Sequence, residues 1–213
     1  MLAAYPDLPP KHQDQLLLRI ARLAPPGWEN VAWDALERGD AHLAETTARL
    51  LLAADFPRAT EQARAWLAAE SPRLRSAAAV GCLHGDSPEL KADALGVLHE
   101  LLASAQAGGR LAALGALAAM PHEAVLPAIR PLLAHADARA RALALRIWSF
   151  CPQHAGDEAV PLLGRAMEDP SQEVRAGALR AAARLQLANA PTLDWLGAAL
   201  RDPDYRVRRA ARE

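Results

Sequence analysis

Apolar side chains along this chain recur with the spacing of amphipathic helices. After Pro170, successive apolar residues fall three or four positions apart and share one side of a helix, while Arg180 and Arg184 lie away from its centre. The pattern predicts a helix over residues 170–187. Equivalent stripes separated by short turns predict a lone helix and then six helix pairs, at residues 11–23, then 28–37 with 40–53, 58–69 with 71–84, 88–104 with 107–119, 121–134 with 137–150, 157–168 with 170–187, and 191–201 with 203–213.

One sequence motif is repeated at a fixed spacing along the chain. The segment 169–175 recurs 33 positions later as the segment 202–208, with Asp-Pro at its start and Val-Arg at its end. A period of this length indicates stacked helical repeats. Asp169 is predicted to cap a helix that begins with Pro170, with Gln172 reaching back to the cap. Asp202, Ser71 and Ser87, each followed by proline, are predicted to start helices in the same way. The motif's arginine has equivalents in other pairs, which are Arg75, Arg110, Arg141 and Arg208.

These motifs resemble HEAT repeats, in the broad sense that includes the HEAT-like units of phycobilisome lyases. The resemblance rests on Asp-Pro-x-x-x-Val-Arg-x-x-Ala at residues 169–178 and 202–211, and on a first helix with internal prolines at residues 123–133. It implies an all-α, right-handed α–α superhelix with first helices on the convex side and second helices on the concave side. It also implies a ladder of ion pairs between adjacent repeats. The pairs expected in this ladder are Asp169 with Arg175 and Asp202 with Arg208.

The resemblance covers most of the chain but weakens toward the N-terminus. Ala69, Ser104 and His135 take the place of the aspartate in earlier pairs, so we expect an interrupted ladder. We expect residues 1–27 to form an N-terminal segment with a capping helix, and residues 28–213 to form one continuous solenoid. Because the last pair lacks a polar capping helix, we also expect the array to continue beyond the C-terminus, or another chain or a second copy to cover this end.

The composition narrows the class of protein. Leu and Ala dominate, and aromatic residues make up only 4% of the 213 residues, which leaves little from which to build strands. The sequence has neither a run of about 18 uncharged apolar residues nor the plan of a signal peptide, so the expected compartment is the cytoplasm. Cys82 and Cys151 are isolated in sequence and are expected to be small apolar fillers without a disulfide.

The formal charge of −1 conceals an asymmetry between the two halves of the chain. Residues 1–106 carry a formal charge of −4 and residues 107–213 carry +3. Arginines on the last two second helices predict a surface for another protein with an acidic segment, and Trp148 is a candidate aromatic anchor. A solvated helix face is the simpler interpretation of such arginines, and the modest charge disfavours nucleic acid. The arginines expected at this surface are Arg175, Arg180, Arg184, Arg206, Arg209 and Arg212.

The predicted function is that of a non-catalytic binding scaffold, or of a regulatory module within a longer protein. No catalytic, cofactor or metal residues are assigned, since no nucleophile, phosphate-loop or zinc motif is present. An alternative is a HEAT-like alkylpurine DNA glycosylase, which resembles this chain at Arg146-Ile147-Trp148 and in its five tryptophans. Trp66 and Trp195, each followed by Leu in a first helix, have the position of packing residues instead.

Two histidine–glutamate pairs resemble the iron-binding pairs of deoxyhypusine hydroxylase. They are His99-Glu100 and His122-Glu123. That enzyme presents four such pairs on second helices, whereas both pairs here fall in predicted first helices. The sequence therefore predicts no metal site.

Overall fold

The computed structural model describes residues 9–37, 41–152, 158–187 and 190–213, and all regular structure within these ranges is helical. None of the described helices is both long enough and apolar enough to cross a membrane. Most of the predicted helix ends lie within two residues of those observed. The first eight residues of the predicted N-terminal segment lie outside the described ranges. The helices are α1 (Pro10–Leu23), α2 (Trp28–Glu37), α3 (Ala41–Ala53), α4 (Pro57–Leu67), α5 (Pro72–His84), α6 (Pro88–Ala103), α7 (Ala107–Ala119), α8 (Leu126–Ile129), α9 (Ala138–Ser149), α10 (Ala159–Met167), α11 (Gln172–Arg184), α12 (Ala190–Ala199) and α13 (Tyr205–Ala210).

The predicted helix over residues 121–134 is broken into three short pieces. A 3-10 turn at Glu123–Val125 leads into the four-residue α8, and a second 3-10 segment follows at Arg130–Ala134. Pro127 and Pro131 lie within these pieces. Each proline lacks the N–H that a continuous α-helix requires and crowds the preceding turn, so the segment adopts tighter, shorter helical turns.

Serine caps followed by proline start two of the helices, as the sequence predicts. The Ser71 hydroxyl accepts a hydrogen bond of 3.4 Å from the Leu74 N–H at the start of α5. The Ser87 hydroxyl accepts one of 3.3 Å from the Leu90 N–H at the start of α6. Because these side chains satisfy N–H groups that lack helical partners, they fix where each helix begins.

The chain divides into two compact units, residues 1–116 and 117–213, with the boundary inside α7. In the first unit α3 packs on α5, α4 packs on α6, and α5 contacts both α4 and α6. In the second unit the second helices α9, α11 and α13 pack in succession, and the first helices α10 and α12 pack on each other. Both units therefore stack helix pairs as repeats do. The expectation of one continuous array stays a prediction.

Helix α11 forms the centre of the second unit because it buries two sides. Val174 and Ala178 pack with Leu163 of α10 in one buried cluster. On another side Ala176 and Leu179 belong to a cluster with Val207 of α13 and a residue of α12. Alanines between these residues let the neighbouring helices approach closely, as the stripe after Pro170 predicts.

Candidate partner-binding surface

The turns before four second helices, α7, α9, α11 and α13, share a side-chain cap. The Oδ1 atom of Asp169 accepts a hydrogen bond of 2.8 Å from the Ser171 N–H. Asp202 accepts one of the same length from the N–H two positions on, and His135 does so through Nδ1 at 3.0 Å. Ser104 accepts an equivalent bond of 3.1 Å. Ser104 and His135 thus keep the aspartate's role in shaping the turn, whereas Ala69 has no side chain that could accept this bond.

The predicted helix start at Asp169 is two residues too early. Helix α11 begins at Gln172, and its cap is Ser171, whose hydroxyl accepts a hydrogen bond of 3.3 Å from the Glu173 N–H. Because the Asp169 carboxylate is engaged within the preceding turn, Pro170 lies outside the helix. The same shift places the cap of α13 at Asp204 instead of the predicted Asp202.

Arginines of the second helices join adjacent repeats through bidentate ion pairs. The Nε and Nη2 atoms of Arg141 each donate a hydrogen bond of 2.8 Å to the Asp169 carboxylate. Arg175 donates equivalent bonds of 2.8 and 3.0 Å to the Asp202 carboxylate. In these two pairs the arginine binds the aspartate of the following repeat. The predicted side-chain pairs of Asp169 with Arg175 and of Asp202 with Arg208 are wrong.

The remaining edge of each ladder arginine binds the turn of its own repeat. The Nη1 atom of Arg175 donates to the carbonyl oxygens of Asp169 and Pro170, at 2.9 and 3.1 Å. Arg141 and Arg208 make the same pair of contacts to their own turns, and Arg110 donates to one such carbonyl at 2.6 Å. With both edges engaged and only 16% of its side chain exposed, Arg175 is a structural residue. Arg175 therefore does not belong to the predicted partner surface.

The ladder also changes the ionisation of its aspartates. Hydrogen bonds from Arg175 hold the pKa of Asp202 below its usual value, although partial burial opposes this. For Asp169 burial acts to raise the pKa, but hydrogen bonds from Arg141 and the Ser171 N–H outweigh it, and the pKa is lowered. Both carboxylates are therefore fully ionised at neutral pH.

A basic groove lies between the second helices α9 and α11. Its volume is about 370 Å³. Side chains at positions spaced by three, four or seven along each helix face this space, because such positions share one side of a helix. Four arginines and one glutamate supply the charged part of the lining. The lining residues are Arg139, Ala142, Leu143, Arg146, Glu173, Gly177, Arg180 and Arg184.

Arg184 is held in position at one end of this basic groove. Its guanidinium lies over the ring of Phe150, 4.4 Å from the ring centre, and its Nη1 donates a hydrogen bond of 3.1 Å to the Ser149 hydroxyl. Partial desolvation, and then the positive charges of Arg146 and Arg180, lower the pKa of Arg184. Phe150 is 43% exposed. A stacked arginine among other arginines presents a fixed receptor for an anion.

Three of the predicted arginines, Arg180, Arg206 and Arg209, make exposed ion pairs. Arg180 and Arg209 both contact the Glu213 carboxylate at 3.3 Å. Arg206 lies 3.8 Å from the Glu173 carboxylate. Arg212 is exposed and does not line the basic groove. Of the six predicted arginines, the structure thus brings two, Arg180 and Arg184, into the basic groove.

Trp148 is not available as an aromatic anchor. Its side chain is 3% exposed and packs in the core with Leu145 and Leu163. The reason is its register in α9, because Trp148 follows buried Ala144 and Leu145 by four and three positions. Trp28, Trp33 and Trp66 are also buried, and Trp195 is partly buried against the same core. All five tryptophans that suggest the glycosylase alternative are therefore buried or partly buried packing residues.

The sequence-based predictions do not identify Arg139, Arg146 and Phe150 as residues of the binding surface. The signal lies in the repeat itself, because Arg146 precedes Arg180 by 34 positions and Phe150 precedes Arg184 by the same interval. Equivalent positions in stacked repeats lie next to each other in space. Aligning the side chains on the exposed side of each second helix, in addition to the ladder arginine, would have located the groove.

The two cysteines of the chain are core residues. Cys82 and Cys151 are free and buried, as predicted. Burial, and then the charges of Asp55 and Asp93, raise the pKa of Cys82 to about 12, and burial raises the pKa of Cys151. Among residues that the structure describes, no three His, Cys, Asp or Glu side chains cluster in a way that could hold a metal ion.

Comparisons with known proteins support the repeat interpretation. Residues 147–213 match the family model described as HEAT repeats. The fold is similar to YibA of Escherichia coli, with a TM-score of 0.62 and 16% identity, covering 92% of this chain and 71% of YibA. An engineered protein has a TM-score of 0.47, with 19% identity over 86% of this chain and 93% of that protein.

A third solved structure, human deoxyhypusine hydroxylase in complex with glycerol, has a TM-score of 0.39 at 20% identity, covering 97% of this chain and 90% of that enzyme. A comparison with curated protein sequences gives no match. The family match at residues 147–213 and the fold shared with YibA are those of a HEAT-like helical repeat protein.

Proposed function

We propose that this chain is a non-catalytic scaffold that binds an acidic segment of another protein in the basic groove between α9 and α11. The observation that carries the proposal is a set of groove arginines with no carboxylate partner among the described residues. Within the described ranges, no carboxylate lies at ion-pairing distance from Arg139, Arg146 or Arg184. Of the ten other arginines in the second unit, six pair with a described carboxylate, and the basic groove gathers three unpaired arginines around one space.

The groove suits an extended partner for a physical reason. Its walls are helices fixed by the core and by the ladder, so binding orders few groups that were free before. Arg184 is already held by Phe150 and Ser149, which reduces the loss of side-chain freedom on binding. Charge-assisted hydrogen bonds from arginine to carboxylate are among the stronger polar contacts, and the exposed Phe150 ring adds apolar area beside them.

The test is an affinity capture with three tagged forms of the full chain. The wild type, Arg146→Glu/Arg184→Glu and Arg165→Glu are exposed to a lysate of the organism that encodes the chain, and captured proteins are quantified by mass spectrometry. Arg165 is the matched control, because it is an exposed arginine of the same unit that lines a different cavity on the α10 side.

We expect at least one protein to be captured by the wild type and the Arg165→Glu form but to be reduced at least about tenfold on the double variant. Circular dichroism melting curves check that all three forms are folded. Equal capture of every protein by the wild type and the double variant would refute the assignment to the basic groove.

A further inference from the structure

The groove arginines differ from the ladder arginines in how their charge is matched. In the ladder, one carboxylate is matched by one guanidinium, as Arg141 with Asp169 and Arg175 with Asp202 show. Each of these pairs uses the Nε and Nη2 edge, and the side chains are between 11% and 16% exposed. Each of these two buried carboxylates is thus bound by one guanidinium, whereas the more exposed Glu213 carboxylate contacts both Arg180 and Arg209.

The basic groove gathers several guanidiniums around one space. Arg146 of α9 and Arg180 and Arg184 of α11 line it, together with Arg139, against the single acid Glu173. The formal charge of this lining is +3. Because Arg146 and Arg180 are close enough to lower the pKa of Arg184, the three positive charges act on the same region. One carboxylate would leave much of this charge unmatched.

A phosphate monoester matches the groove better than a carboxylate does. It carries a charge of about −1.5 to −2 at neutral pH and three strong acceptor oxygens, which arginines on two helices can share. The volume of about 370 Å³ admits a phosphorylated side chain with part of its backbone. The Phe150 ring and the Ser149 hydroxyl fix the Arg184 fork at the groove's end before any ligand arrives.

One groove arginine already contacts an anion from the chain itself. The Glu213 carboxylate lies 3.3 Å from Arg180, in a pair whose side chains are 36% and 51% exposed. An exposed pair of this kind is weak, so a ligand with more charge can displace the glutamate from Arg180. Glu213 and Glu173 also border the groove with negative charge, which favours one isolated phosphate over the continuous phosphates of a nucleic acid.

We propose that the groove between α9 and α11 recognises a phosphorylated side chain in an acidic segment of the partner protein, with Arg146, Arg180 and Arg184 binding the phosphate. This proposal rests on the proposed function, because it specifies the ligand of the same groove. Phosphorylation of the partner would then control its attachment to the scaffold.

The test compares three synthetic peptides that differ at one position. Each has twelve residues of Gly and Ala with two flanking glutamates, and the central position is phosphoserine, glutamate or serine. The peptides are titrated into the ¹⁵N-labelled full chain, and affinities are taken from the shifts of the arginine Nε–Hε signals. A twelve-base-pair DNA duplex is the fourth ligand. The protein forms are the wild type, Arg146→Ala/Arg184→Ala and Arg165→Ala.

We expect the phosphoserine peptide to bind the wild type and the Arg165→Ala form at least about tenfold more tightly than the glutamate peptide. The double alanine variant should lose this preference. Equal affinity for the phosphoserine and glutamate peptides, with both lost in the double variant, would overturn the phosphate assignment and leave the acidic-segment proposal standing. If none of the peptides shifts the groove arginines, or if the duplex binds there most tightly, both proposals are wrong.

Discussion

Each ladder arginine serves two acceptors with the two edges of one guanidinium. In Arg175 the Nη1 atom satisfies carbonyl groups of its own turn, while Nε and Nη2 bind the Asp202 carboxylate of the next repeat. A lysine has a single compact charge and could not supply this fork. The Asp202 side chain also caps the turn of its own repeat, because it accepts a hydrogen bond from the Asp204 N–H. The residue pair thus links local turn geometry to the stacking of repeats.

Replacing the ladder carboxylate tests this role. Asp202→Asn keeps the shape and the turn cap but removes the charge that Arg175 binds. Because the pair is mostly buried, we expect the free energy of unfolding to fall by about 2 kcal/mol, measured by urea denaturation. The control is Asp93→Asn, which removes the exposed contact to Arg64 at 3.3 Å and should cost less than about 0.5 kcal/mol. Equal losses in the two variants would contradict the ladder's role.

The pH dependence of that loss follows from the lowered pKa of Asp202. A carboxylate with a lower pKa in the folded state stabilises the fold above its unfolded pKa of about 3.9, and this contribution disappears as the pH falls through the folded value. The difference in unfolding free energy between the wild type and Asp202→Asn should therefore be constant from about pH 5 to pH 8. It should shrink below about pH 4. A difference that grew at acid pH would have the wrong sign.

Thiol reactivity provides a second test at the scale of single residues. Cys82 and Cys151 are 3% and 5% exposed, and burial raises the pKa of both thiols. Since the thiolate is the reactive form, neither should react with Ellman's reagent at pH 8 within minutes in the folded protein. Both should react in guanidinium chloride. Rapid titration of one thiol in the native protein would contradict the burial of that cysteine.

At the scale of helices, the close contact between α3 and α5 depends on a glycine. A Cβ atom at Gly81 would lie 2.6 Å from the Arg49 carbonyl oxygen and 2.8 Å from the Leu52 Cβ atom. Both neighbours belong to α3, so at least one of the two helices would have to move. The position is therefore set by packing between helices and not by the helix propensity of α5, which alone would favour alanine.

The Gly81→Ala variant should lower the free energy of unfolding by about 1–3 kcal/mol through overpacking. Gly96 in α6 is the matched control, since a Cβ there meets no atom within 4 Å. Because alanine has a higher helix propensity than glycine, Gly96→Ala should raise stability by about 0.5–1 kcal/mol. Opposite signs are expected from chemical denaturation of the two variants. Stabilisation by both substitutions would show that α3 and α5 are further apart than described.

The positions of the helices could be predicted from the sequence where interactions within a single helix determine them. The Ser71 and Ser87 caps and the apolar stripe of α11 are local features, and they are confirmed. The sequence pattern predicts one continuous helix over residues 121–134, although two prolines spaced four apart lie within it. This prediction therefore misses the break around α8. The contact at Gly81 could not be predicted, since it depends on the separation of two helices.

At the scale of the whole molecule, the candidate site arises from adjacent repeats and not from any single helix. The excess of arginine near the C-terminus is visible in the sequence, and two of the arginines that it indicates, Arg180 and Arg184, line the basic groove. The assignments of Arg175 and Trp148 failed because the ladder and the core engage those side chains. Arg146 belongs to the preceding repeat, so only an alignment of repeats places it beside Arg180.

The central claim is that the basic groove binds an acidic segment, and the most direct test is to reverse the charge of the groove arginines. Fluorescence anisotropy measures the affinities of a labelled ten-residue glutamate peptide and of its lysine counterpart for the wild type, Arg165→Glu and Arg146→Glu/Arg180→Glu/Arg184→Glu. We predict that the wild type and the Arg165→Glu form prefer the glutamate peptide, more strongly at low salt. The triple variant should reverse this preference, with each affinity changing at least about tenfold. An unchanged preference in a folded triple variant would show that these arginines do not form the binding surface.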